Sequence, residues 1–126
     1  MKRLWLGVGI LALFLILSLW CGVAMGGLHT DLADRMEEAS QAALSGDMDN
    51  ATSRAEQVKK DWEDHWRGTA ALADHAPMDE IDGLFAQLTA YGQAGQAEDF
   101  AACGARLSRL LEAVGEAHVP VWWNLL

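Results

Sequence analysis

The chain has 126 residues, 52% of them hydrophobic, and a formal net charge of −9 at pH 7. That length leaves room for one domain and little more. The excess of negative charge argues against a nucleic-acid partner, whose phosphates are neutralised by Lys and Arg.

The average conceals a sharp division. Lys2 and Arg3 are the only charged side chains before Asp31; the other seven basic residues and all 18 acidic ones follow, a formal charge of −11 on that part. The stretch Leu4–Leu28 carries no charge. As a helix it would be about 37 Å long, enough for a hydrocarbon core of about 30 Å. Trp5 and Trp20 lie near its ends, where indoles favour the headgroup layer. Lys2 and Arg3 precede it and Asp31, Asp34, Glu37 and Glu38 follow, so the positive-inside rule puts the N-terminus in the cytoplasm and the remainder outside.

The alternative for this segment is a cleaved signal, with small residues at Gly22-Val23-Ala24 and Ala24-Met25-Gly26. A secretory apolar core is about 7–15 residues long, and this one exceeds it, which favours an uncleaved anchor. A lipoprotein attachment at Cys21 is disfavoured by the bulk of Trp20. Three parts are expected: a transmembrane anchor over 1–28, an acidic extracytoplasmic helical bundle over 29–119, and an apolar tail over 120–126.

Beyond the anchor the apolar residues recur at helical spacing. Leu32, Met36, Ala39 and Ala43 form a first stripe. Thr30 or Asp31 could cap its start, unless the membrane helix runs straight through. Ser45-Gly46-Asp47 breaks it, Gly46 being suited to a left-handed terminator. Asp47 or Asp49 can cap the next run, whose stripe is Ala51, Ala55, Val58, Trp62, Trp66, Thr69 and Ala73. Pro77 is expected to end that run. A third carries Met78, Ile81, Leu84, Phe85, Leu88 and Tyr91 and stops in Gly92-Gln93-Ala94-Gly95. A fourth carries Ala97, Phe100, Ala101, Gly104, Leu107, Leu110, Leu111, Val114 and His118, before Pro120.

No segment alternates with a two-residue period, so no strand is expected. Short connections make successive helices antiparallel neighbours. The expected fold is all-α: one N-terminal transmembrane helix, then a small antiparallel three- or four-helix bundle. Its many alanines imply close helix spacing. Trp62, Trp66, Phe85 and Phe100 should supply much of the buried area.

Cys21 and Cys103 lie far apart, and Cys103 reads as a small buried apolar residue rather than a reactive thiol. The densest polar cluster is Asp74-His75 with Asp79, Glu80 and Asp82. His75, Asp79, Glu80 and Asp82 could together hold a divalent metal. A structural reading explains them too, with His75 near a helix C-terminus and the acids on the next helix's N-terminal turn. Asp61 and His65 are four apart and could share a ligand or pair on the surface. Trp122, Trp123, Leu125 and Leu126 make the tail unusually apolar. It could pack along the bundle, enter the membrane interface, or dock on a partner.

The order of several features resembles a known bacterial family, catalogued as domain of unknown function 4363, of short membrane-anchored proteins. They are the opening Met1-Lys2-Arg3-Leu4-Trp5, the Ser45-Gly46-Asp47 break, Trp62 with His65, Asp74-His75, Asp79-Glu80-Ile81-Asp82, His118 and the closing Asn124-Leu125-Leu126. The resemblance implies topology and location, with no reaction attached. No phosphate-binding loop, nucleophile elbow, zinc spacing or haem motif is present. The expectation is therefore a non-enzymatic, cofactor-free membrane protein that contacts another envelope protein. A sensor binding metal or a small ligand through His75 and its neighbouring carboxylates is the alternative.

Overall fold

The computed structural model describes residues 1–69 and 76–117 as four helices: α1 (Lys2–Leu44), α2 (Met48–Thr69), α3 (Ala76–Ala94) and α4 (Ala97–Ala117). Among the described residues there is no strand. The apolar segment does not stop before the bundle; it continues into it as one helix of 43 residues. Thr30, a candidate cap, is instead mid-helix, its Oγ1 donating to the Gly26 carbonyl at 3.1 Å. Val8 to Val23 holds the long run of exposed Leu, Ile, Val, Phe and Trp that makes this helix a candidate membrane span.

The second half of α1 forms one wall of the bundle. It packs most extensively on α4, then on α2; α3 packs on α4, and the α2–α3 seam is the slightest. The pairings fix the directions. Arg35 meets Asp61 and Glu38 meets Arg54 across α1 and α2. The Ser108 hydroxyl donates to the Ala33 carbonyl at 2.9 Å across α1 and α4, and Glu80 meets Arg106 across α3 and α4. Each neighbouring pair is antiparallel, giving an up-down-up-down bundle. The ends of α2 and α4 and the start of α3 lie at the entry end, where the apolar segment joins.

The far end is closed by two glycine turns of the same design. After α1, Gly46 takes φ +89°, its N–H bonding the Ala43 carbonyl while that of Asp47 bonds Ala42. After α3, Gly95 takes φ +68°, its N–H bonding Gly92 while that of Gln96 bonds Tyr91. This double bond pattern consumes helix-end carbonyls and needs a residue without a Cβ penalty at the left-handed position. Asp47 then caps α2, its Oδ1 accepting from the Asn50 N–H at 3.2 Å.

Pro77 has a place of its own in the next helix. It sits in the first turn of α3, where its missing N–H would have lacked an intrahelical partner anyway and its fixed φ suits the helix.

The core is a single cluster. Trp62, Phe85 and Phe100 are its largest members, with Leu32, Met36, Val58, Ile81, Leu88, Leu107 and Leu111 between them. Trp66 is only half-buried, at the cluster's margin. Small residues let the helices close. A Cβ at Gly104 would run into the Ser40 hydroxyl of α1, and one at Gly115 would lie 2.6 Å from His29 Cβ. Ser40 cannot easily swing aside, being buried with its hydroxyl bonded to the Met36 carbonyl at 3.1 Å.

Gly104→Val should therefore destabilise the bundle by about 1–3 kcal/mol through overpacking. Gly83, exposed on α3 with open space where a Cβ would sit, should respond in the other direction: Gly83→Ala should stabilise by about 0.5–1 kcal/mol. Urea titration of the full chain in detergent micelles, followed by helical circular dichroism, measures both.

Candidate functional site: a groove between α2 and α3

Where the bundle is least tightly zipped, a half-open groove of about 220 Å³ runs between α2 and α3. Ala55, Phe85, Leu88 and Phe100 give it an apolar floor, and Glu56, Lys59 and Gln93 form its rim. Two threonines that line it have their hydroxyls occupied. Thr52 Oγ1 donates to the Met48 carbonyl at 2.9 Å, and Thr89 Oγ1 to that of Phe85 at 3.0 Å. Gly92 shuts the far end, since a Cβ there would lie 2.5 Å from Thr52 Cγ2. Lys59 leans toward Glu63 at 3.8 Å, an exposed contact worth little. The groove suits an apolar group with a polar or charged edge. None of its lining residues is a histidine or a cysteine.

A second cluster lies at the entry end, where α1, α2 and α4 meet. His29 is buried, its ring in edge contact with Trp62 at 5.8 Å and with His65 at 5.5 Å between centroids. Trp66 stacks on Trp62 at 6.5 Å, their planes nearly parallel. The Trp62 Nε1 is buried without a hydrogen-bond partner among the described residues, a burden of about 1–3 kcal/mol.

Asp61 reaches across to α1. Its carboxylate accepts from Arg35 of α1 at 2.7 Å, and this bond, foremost, holds the Arg35 guanidinium pKa above its usual value. Both side chains are partly exposed, so the pair contributes at most about 1 kcal/mol.

Of the residues proposed from the sequence for metal binding, His75 lies outside the described residues. Asp79, Glu80 and Asp82 are exposed on α3, and Glu80 is engaged by Arg106 at 2.7 Å. Among the described residues no three His, Cys, Asp or Glu side chains are placed to hold a metal ion. Trp122, Trp123, Leu125 and Leu126 also lie outside them.

Cys103 behaves as a core residue, buried with its Sγ 3.4 Å from the Leu84 carbonyl. Burial raises its thiol pKa.

Sequence spacing alone did not reveal the groove or the junction. Gly92 carries the one usable signal for the groove, a small residue in the apolar stripe seven positions after Phe85. His29 marked only the end of the apolar run, although its position beside Trp62 follows once α1 is continuous.

These features define a class: an all-helical bundle built directly on a helix long and apolar enough to cross a membrane. The chain belongs to the family described as Domain of unknown function (DUF4363), whose model matches residues 27–125. No curated protein and no solved structure matches it.

Because the folded state holds the Cys103 proton more tightly than the unfolded chain, the stability this contributes is full below the unfolded thiol pKa of about 8.5 and is lost as pH rises above it. Urea midpoints of the full chain in micelles should fall between neutral and strongly alkaline pH. In Cys103→Ala that fall should be shallower.

Proposed function

We propose that this protein is a non-enzymatic, membrane-tethered interaction module whose bundle lies outside the cytoplasm and receives a segment of another envelope protein in the α2–α3 groove. The observation that carries this reading is the groove: an apolar floor of Phe85, Leu88 and Phe100 beneath a polar rim, at the slightest seam of the bundle. Such seams accept an apolar anchor from a partner helix or strand, with rim charges selecting the register. The orientation rests on Lys2 and Arg3 before the apolar segment and the acidic residues after it. An acidic bundle favours a partner presenting basic residues around its apolar anchor.

A photo-crosslinking residue placed at Glu56 or Gln93, both exposed on the groove rim, should give a discrete higher-mass adduct in intact membranes. The same residue at exposed Ala102 on α4 should give none. Identical patterns from the three positions would overturn the assignment of the groove. Independently, a periplasm- or exterior-dependent reporter fused after Leu126 should be active, and activity only of a cytoplasm-dependent reporter would reverse the orientation.

A further inference from the structure

The apolar segment and the bundle share one helix, so the height of the bundle above the membrane is a matter of arithmetic. The apolar run ends at Leu28, and bundle packing begins there without a linker: Gly115 of α4 closes on His29 and on the Gly26 carbonyl. A bilayer has a hydrocarbon core of about 30 Å and about 40–45 Å including its headgroup layers. With the run centred in the core, His29 stands about 20 Å from the midplane at about 1.5 Å per residue, inside the outer headgroup layer. Centring the membrane on Trp5 and Trp20 instead raises His29 to about 25 Å, a few ångströms above that layer.

The antiparallel register carries α2 lower still. Trp62 and His65 are level with His29, and α2 continues toward the membrane through Trp66 and Arg67 to Thr69. Trp66 lies one turn past Trp62, about 5 Å nearer the bilayer than its stacking partner. The first centring brings Trp66 to the boundary between headgroups and hydrocarbon, about 15 Å from the midplane, and the second places both Trp66 and Arg67 at headgroup depth. Their chemistry suits that place. A half-buried indole has an apolar body and a polar edge, and Arg67 is an exposed guanidinium whose ion pairs with Asp64 at 3.5 Å and Glu63 at 4.0 Å leave donors for a phosphate.

We infer that the last turns of α2, carrying Trp66 and Arg67, are seated in the headgroup layer, so that the base of the bundle is a lipid-contact surface rather than a domain held clear on a stalk. The acidic charge of the bundle fits a zwitterionic layer better than an anionic one. The inference rests on the reading of Leu4–Leu28 as a membrane span, and the experiment separates the two.

In a full-length Cys21→Ser, Cys103→Ala background, a nitroxide is attached at Arg67→Cys and, separately, at Asp49→Cys on the first turn of α2 at the far end. Both sites are exposed. The chain is reconstituted in phosphatidylcholine vesicles and washed with alkaline carbonate. The ratio of oxygen to nickel-chelate collisions should be several-fold higher at 67 than at 49, and Asp64→Cys, exposed near the same end, should agree with 67. Equal ratios at all three positions in washed vesicles would overturn the headgroup seat alone. Loss of the protein in the wash would overturn the membrane span, and the seat with it.

Discussion

Everything in this molecule hangs on the continuity of α1. A helix that ended at Leu28 and restarted after a loop would leave the apolar segment and the bundle as independent bodies. Here the same rod supplies exposed Leu, Ile and Phe in its first half and the core residues Leu32, Met36 and Ala39 in its second. The transition takes one turn, between Leu28 and Leu32, and is set by composition: charge appears at Asp31 and apolar residues retreat to one stripe. Helix geometry is indifferent to that change, because the backbone bonds are satisfied within the helix on both sides of it.

Two kinds of side chain then divide the work of the core. Alanine, glycine and serine on α1, α2 and α4 bring backbones close, as at Gly104 against Ser40 and at Ser108, whose hydroxyl reaches the Ala33 carbonyl. Trp62, Phe85 and Phe100 fill the wider space between, each contributing about 150–250 Å² of buried surface. The α2–α3 seam is the slightest of the packed pairs. It closes at Gly92 and opens beside Lys59, which is why the groove is found there.

Helix number, direction and much of the core were legible because a 3.6-residue period and glycine terminators are local properties. Gly46 occupies the left-handed position that its place after the first stripe suggested, and Gly95, within the expected stop, does the same. Pro77 was read as a stop, and its place in the first turn of α3 was not specified by that reading, because proline both ends and begins helices. The Arg35–Asp61 pair was out of reach for a related reason: it joins two helices, and only the α1–α2 register brings those side chains together. The groove and the His29–Trp62 contact were harder still, since each joins residues from helices whose relative rotation no single stripe specifies.

The rod also fixes an angle. With no flexible joint between apolar segment and bundle, each face of that segment is in constant rotational phase with one wall of the bundle: the Gly26 carbonyl lies beside Gly115 of α4. A single residue gained or lost near Val23 would turn the whole bundle by about 100° about the helix axis while shifting it only about 1.5 Å along that axis. Whatever grips the apolar segment by one side also decides which compass direction the groove faces.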